Sequence, residues 1–441
     1  GDPPAIAIIG TNLVGGTLYY SVNNGTSWSD VGPVSLTSSR VLYADSNTRL
    51  AFKPAANYTG AVNDVITFKA WDRTGTPTNG AGSITGLEPI TPPISIGTST
   101  LSNRAHGITL SADGDTAFVV EDSGGLRIFD VSNPTNPILT KTVSNAPGLF
   151  VTLSPDGDTA FIGNGNKLHI VDVSDLSVAY KVHTHSISGG RGVWDIVIST
   201  DGQTAYLADS NSGLRILNVA NHSSPTEIGN WNSPYLARGL AISNDGDTAF
   251  IADWDSGLQI VDISDPTNPN HIGDIDTGSA AAVALSADNT TAFVADRQSG
   301  LQIIDVSNLN DPSVKGFLQT SGEEYNLRLS SDGDTVYLAA RLGGLHVVDV
   351  SDHSNPNQTS TYNTKGYAIE AALAPDETNV FVADWNNGLE VLKIKESLFS
   401  TAIDTAKIVI SNVNDTPVLS GAGGTLAYTE NDGAKVIDAE L

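Results

Sequence analysis

One segment of about 44 residues returns seven times between residues 90 and 395, and it limits what the chain can fold into more than any other feature. Residues 237–277, ARGLAISNDGDTAFIADWDSGLQIVDISDPTNPNHIGDIDT, show its pattern. Aligned on the acidic residue of a Ser-x-Asp turn, the copies fall at Asp113, Asp156, Asp201, Asp245, Asp288, Asp332 and Asp376. Successive steps are 43, 45, 44, 43, 44 and 44 residues. A period this constant means a repeat architecture, in which each unit buries its apolar faces against its neighbours.

Each copy reads as short strands. Residues 239–243 (GLAIS) and 248–252 (TAFIA) flank Asn244-Asp245-Gly246, a turn that supplies positive φ at little cost. Residues 258–263 (LQIVDI) are apolar and β-branched, and Asp265-Pro266-Thr267-Asn268-Pro269 then breaks the chain before a polar strand near 271–276. Four strands per copy with no helical period predict an all-β fold, a seven-bladed β-propeller over residues 89–396. The seventh copy holds only three strands and ends near 389–394 (LEVLKI). Residues 93–98 (PISIGT), within about 91–100, are expected to supply its missing outer strand, because Gly97 precedes Ser111 by the same 14 residues that separate Gly229 from Ser243. Such an overlap seals a ring that would otherwise present two raw edges.

The cores GLQIVDIS, GLRIFDVS and GLHVVDVS resemble the LVIVD repeat, a propeller-forming repeat of bacterial and archaeal surface or secreted proteins. The resemblance implies the fold and brings no particular chemistry with it.

The flanks have a different texture. Residues 1–10, 17–22 (TLYYSV), 26–28 (TSW), 40–42, 49–52 and 65–71 (VITFKAW) read as strands, one short of the roughly seven that a sandwich uses. Residues 405–413 (TAKIVISNV), beyond the propeller, alternate cleanly and run into Asn414-Asp415-Thr416-Pro417. The pairing of Ala70-Trp71-Asp72-Arg73-Thr74-Gly75 with a final strand that leaves through an Asn-Asp-x-Pro linker resembles bacterial cadherin-like adhesin repeats. That resemblance implies a discontinuous cadherin/Ig-like β-sandwich made of 1–88 and 397–415, with the propeller inserted in a loop, and the start of a further repeat at 416–441. It also implies calcium (Ca2+) at the interdomain junction, held by Asp72, Asn412, Asn414, Asp415, Glu430, Asp438 and Glu440. The linker reads Asn-Val-Asn-Asp where such repeats usually begin with Asp, so one charge is missing. Simple turn capping is the plainer role for the same residues.

Composition narrows the function. Lys and Arg number 22 against 49 Asp and Glu, a net charge of −27, which repels nucleic acid and anionic membranes. With no Cys, a disulfide scaffold, thiolate zinc and a Cys nucleophile are excluded. No Met occurs either, so residue 1 is not expected to be a translation start and the chain reads as a segment of something longer. It shows no signal peptide and no apolar run of 18 residues, so no membrane insertion is expected within this segment.

Within the propeller, acidic residues stand four positions before the Gly-Leu of most copies, at Glu121, Asp209, Asp253, Asp296 and Asp384, with Gly163 and Ala340 as the breaks. A repeated residue is first a repeated structural solution, here a cap for turn amides. Positions that do not repeat say more about function, because the fold does not require them. One such row is His106, Leu149, Trp194, Arg238, Ala281, Tyr325 and Ile369, and the next residues include Asp195 and Glu370. At the starts of innermost strands, His106, Trp194, Asp195, Arg238, Tyr325 and Glu370 are expected to converge on the channel mouth as a ligand-binding site for a sugar or peptide. There is no Gly-x-Ser-x-Gly elbow and no phosphate loop, and the eight His are scattered. The expectation is therefore no enzyme and no catalytic residue. It is an extracellular module of the bacterial cell surface whose partner is a cell-surface glycan or protein. A structural subunit of a filament, built from further copies of itself by strand addition, is the alternative, and a propeller hydrolase the third reading.

Overall fold

The computed structural model of the 441-residue chain describes all residues except 1–4, 15, 36–38, 44, 56–59, 72–78, 81–86, 191, 398–403, 411–417, 422–423 and 428–441. The chain divides into two compact units, Gly1–Pro89 with Lys395–Leu441, and Ile90–Ile394. No helix among the described residues is long and apolar enough to cross a membrane.

In the larger unit each copy of the repeat becomes one antiparallel sheet. Gly239–Ile242, Thr248–Ala252, Leu258–Asp262 and Asn270–Ile275 lie side by side in chain order. The described residues form seven such four-stranded sheets. The seventh departs from chain order, since Ala368–Leu373, Asn379–Asp384 and Gly388–Ser397 are completed on the outside by Leu87–Ser99.

The turn between the first two strands is built by its own side chains. Ser243 Oγ donates to Asp245 Oδ1 at 2.5 Å, and the Thr248 amide donates back to Ser243 Oγ at 2.9 Å. The Asp247 amide donates to the same Asp245 oxygen at 3.1 Å, while Gly246 takes φ +81°. Donors aimed at an ionised carboxylate favour the charged form, and hold Asp245 below the usual carboxylate range. Ser111 with Asp113, Ser154 with Asp156, Ser199 with Asp201, Ser286 with Asp288 and Ser330 with Asp332 repeat the arrangement. These carboxylates are structural.

What joins the sheets is one aromatic side chain per seam. The third residue of each second strand is Phe118, Phe161, Tyr206, Phe250, Phe293, Tyr337 or Phe381, each 6% exposed or less. Phe250 packs with Val283, Val294 and Ile304 of the next sheet. Phe381 of the seventh sheet packs with Ile108, Val119 and Phe129 of the first, with Ile96 of the completing strand against the same cluster. The apolar seams therefore run round a closed ring, and the first strand of the seventh sheet lies beside the first strand of the first.

Outer strands close against the neighbouring sheet through glycine. A Cβ on Gly229 would stand 1.9 Å from the Pro266 carbonyl oxygen, and one on Gly97 would stand 2.2 Å from that of Pro134. Gly97 thus occupies the same kind of joint at the closure that Gly229 occupies inside the ring.

The described residues of the smaller unit form two sheets. Among the described strands, Gly60–Trp71 lies between Ala5–Thr11 and Asp404–Ile410, with Asp404 opposite Phe68 and Ile410 opposite Gly60. Val418–Gly421 and Gly424–Ala427 extend this sheet beyond Asp404–Ile410. The second sheet holds Ser29–Asp30, Gly16–Ser21 and Arg49–Pro54. Ile8, Leu42, Val62 and Phe68 from the first meet Leu18, Leu50 and Phe52 from the second in one shared core.

Candidate functional site: the channel mouth

The first strands of alternate sheets carry a β-bulge at their start. Register shifts fall between Ala105 and Gly107, Val193 and Asp195, Ala280 and Ala282, and Ala368 and Glu370. A bulge places two residues opposite one and re-aims a side chain. His106, Trp194, Asp195, Arg238, Tyr325 and Glu370 all line one cavity at these strand starts. Space for the centre of a water molecule amounts to about 40 Å³ there. The mouth is narrow because side chains fill it.

Arg238 is the plug. Its guanidinium carbon lies 3.9 Å from the ring centre of Trp194 and 4.3 Å from that of Trp254, and its Nη1 donates to the Tyr325 hydroxyl at 3.1 Å. Both indole faces attract the guanidinium through their ring quadrupoles. The pattern continues around the rim. Arg297 lies 4.9 Å from Trp254, Arg341 lies 5.4 Å from Tyr367 and 5.7 Å from Trp385, and Arg104 lies 5.2 Å from Trp385. Glu323 ties Arg297 to Arg341.

Arg104 and Tyr367, like Trp254, Arg297, Arg341 and Trp385, were not singled out from the sequence. The last four each directly follow the acidic position or its Ala340 substitute, in a row that otherwise reads Asp122, Asn164 and Ser210. That row does not repeat, and the same criterion would have found it. Two of its members have a stated route to the mouth. Trp254 exchanges both backbone hydrogen bonds with Ala280 of the next sheet, each 3.0 Å, and Arg341 does so with Ala368. Both sit in the left-handed region, at φ 43° and 44°. Ser210 at the equivalent position of the third sheet has φ 32° and the same bridge, to Ala237, so the conformation belongs to the repeat.

Deeper in the channel lies an ionic cluster. Asp195 accepts the amides of Ile196 and Leu240, both at 2.8 Å, and so joins the third sheet to the fourth. Glu370 accepts the Ile108 amide at 3.1 Å, joining the seventh to the first, and pairs with Arg328 at 2.5 Å. Burial pushes Asp195 up to about 6, although amide donors and Arg328 pull it back. The same burial raises Glu370 to about 8 against Arg328, with Asp195 adding repulsion. His106 packs against Trp385 with ring centres 5.2 Å apart and the planes tilted by 42°, and burial lowers its pKa. Its nitrogen makes no ion pair with Asp195 among the described residues.

The acidic series caps loops, and all five members are fully buried. Glu121 accepts the Asn103 amide, Asp209 that of Gly192, Asp253 that of Tyr235 and Asp384 that of Gly366, at 2.8–3.0 Å. Each thus fastens the incoming loop to its own sheet. Asp296 instead caps the amides of Gln298 and Ser299 within its turn. Where the sixth copy has Ala340, a carboxylate arrives from the loop: Glu324, 1% exposed, accepts from the Thr320 hydroxyl.

The seven residues read as calcium ligands, Asp72, Asn412, Asn414, Asp415, Glu430, Asp438 and Glu440, lie outside the described residues. Among the described residues no group of three or more His, Asp or Glu is arranged to hold a metal ion.

A ring of four-stranded sheets whose first strands surround a central mouth defines a β-propeller protein. More narrowly, the chain belongs to the LVIVD repeat family, which it matches over residues 106–145, 152–180, 190–233, 237–277, 278–320 and 328–364. The copy aligned on Asp376, whose fourth strand comes from far upstream, is not among these segments. Two solved structures have similar folds. Hydrazine synthase of Kuenenia stuttgartiensis is 17% identical at a TM-score of 0.56, over 67% of this chain and 97% of that one. The Cps50 (Swd1) β-propeller domain of Myceliophteria thermophila is 11% identical at 0.58, over 69% of this chain and all of that one. At such identities the likeness is one of fold alone. No curated protein matches the chain's sequence.

Proposed function

We propose that this chain is a non-enzymatic extracellular interaction module. In this reading a seven-bladed propeller is the binding head, and the unit around it is a cadherin-like spacer on a bacterial surface. The observation that carries the reading is the mouth, where residues the repeat does not require are gathered and held by cation–π contacts. The absence of enzymatic function is supported by the use of the polar groups at hand. Asp195 and Glu370 spend their oxygens on amides and on Arg328, and His106 lies against an indole. Calcium at the junction remains part of the proposal on the sequence pattern around Asp72 and Asn412 to Asp415.

Mass and thermal stability with calcium and with chelator test the spacer. A monomer whose smaller unit melts several degrees lower in chelator is the expected result. Polymers that form regardless of calcium would instead support a filament subunit assembled by strand addition, and would make the junction residues turn caps.

A further inference from the structure

The residue after the Gly-Leu of each copy (Lys-Leu in the second) lies in the third strand, beside the acidic position that ends the second. In the first six copies it is Arg, His, Arg, Gln, Gln and His, always a side chain with an N–H to donate. Arg127 donates to Glu121 at 2.6 Å, Arg215 lies 3.6 Å from Asp209, and Gln259 donates to the Ser256 carbonyl at 2.7 Å. In the seventh copy the residue is Glu390, so the acidic position Asp384 is met by a second acid.

Asp384 and Glu390 are both 0% exposed. Glu390 stands opposite Val382, which shares a strand face with Asp384, so the two carboxylates are one pleat apart. Val382 and Leu392 on that face pack with Tyr337 and Ala339 of the sixth sheet. Across this seam the Tyr362 hydroxyl donates to Glu390 Oε1 at 2.8 Å, and the Gly366 amide donates to Asp384 Oδ2 at 2.8 Å. Glu390 Oε2 and Asp384 Oδ1 are left buried without a hydrogen bond, as is the Thr364 hydroxyl beside Asp384. The ion pairs of the described residues include neither acid. Asp253 and Asp296 also keep one oxygen unbonded, but there the residue one pleat away is a neutral Gln. Burial pushes Asp384 above the usual carboxylate range, and the Glu390 charge pushes it further against the pull of the Gly366 amide.

We propose that this seam binds a calcium ion between Asp384 Oδ1 and Glu390 Oε2, with the Thr364 hydroxyl as a third oxygen. The site is separate from the junction and lies wholly within the larger unit. Charge favours a divalent ion over a proton. Two buried carboxylates carry two negative charges, which one shared proton halves and one divalent ion cancels. The oxygens belong to carboxylates and a hydroxyl, the hard set that calcium takes, and neutral carbonyl and water oxygens can fill the rest of its shell. The ion would tie the sixth sheet to the seventh, the one whose outer strand comes from far upstream.

The test titrates calcium by calorimetry into the chelator-treated full chain at pH 7, for the parent, Glu390→Gln and Asp384→Asn. The parent is expected to take up one equivalent more than either variant. Amide hydrogen exchange in Asn379–Asp384 is expected to slow at least ten-fold when calcium is added to the parent, and to stay unchanged in Glu390→Gln. That variant gives the seventh copy the Gln of the fourth and fifth, so it is expected to fold with or without calcium. Calcium at the junction would persist in it, so the two sites succeed or fail separately. Equal uptake by parent and variants, with exchange at the seam unchanged, would overturn the proposal and place any calcium elsewhere. No uptake by the parent, with protection at the seam rising as pH falls, would overturn it in favour of a shared proton.

Discussion

Phe381→Ala is expected to destabilise the larger unit by about 3–5 kcal/mol, the cost of emptying a buried aromatic site. The side chain is 2% exposed and fills the seam between the seventh sheet and the first. Phe250→Ala, at a seam between consecutive sheets, is the matched comparison, because Phe250 is 1% exposed in an equivalent cluster. In a closed ring the two substitutions cost alike. In an open one, Phe381 would face water at an edge and its loss would cost little. Urea unfolding of the two variants separates these outcomes. The prediction follows from the strand Leu87–Ser99, which completes the seventh sheet and brings Ile96 to the same cluster.

The second large effect depends on pH. Glu370 has its pKa raised from 4.5 to about 8 by burial, so between these values the native state binds more protons than the unfolded one. Stability then falls as pH rises through that window. Asp195, raised to about 6, and Asp253, also raised to about 6 by burial, act with the same sign at lower pH. The turn carboxylates held low, such as Asp113 and Asp245, have the opposite sign and lose their contribution as pH falls through the acid range. The melting temperature is therefore expected to peak near pH 5 and decline toward pH 8.5. At roughly 1.4 kcal/mol per pKa unit, the Glu370 contribution is on the order of 5 kcal/mol. Glu370→Gln keeps an acceptor for the Ile108 amide and removes the titration. Its curve should be flatter, and the variant should be more stable than the parent at pH 8.5. A variant curve parallel to that of the parent would show that Glu370 does not titrate in this window.

The propeller was legible because its physics repeats. Every second strand must present one aromatic residue to the next seam, and every first turn must cap its own amides. Period and composition therefore recur together, and even the displaced strand around Gly97 kept the spacing of Gly229. The mouth was partly legible for the opposite reason. Trp194, Arg238 and Tyr325 stood out because their positions vary, whereas Trp254, Arg297, Arg341 and Trp385 lay in turns and were passed over. Their route to the mouth runs through backbone pairing between sheets, as for Trp254 with Ala280, and no periodicity announces such a pairing. The swap of Ala340 for Glu324 was hidden similarly. Glu324, buried in the loop 16 residues upstream of Ala340, accepts from the Thr320 hydroxyl.

The claim that the mouth is the recognition surface is tested most directly by a panel of charged and neutral saccharides and acidic and basic peptides. Each is titrated into the full chain and into a Trp194→Ala/Tyr325→Ala variant, with tryptophan fluorescence as the readout. Three of the six Trp residues, Trp194, Trp254 and Trp385, report on this rim. The account predicts at least one ligand class that perturbs the native spectrum and loses ten-fold or more in affinity in the variant. Ligands that bind the variant as tightly as the parent, or a panel that leaves the rim unperturbed, would contradict it.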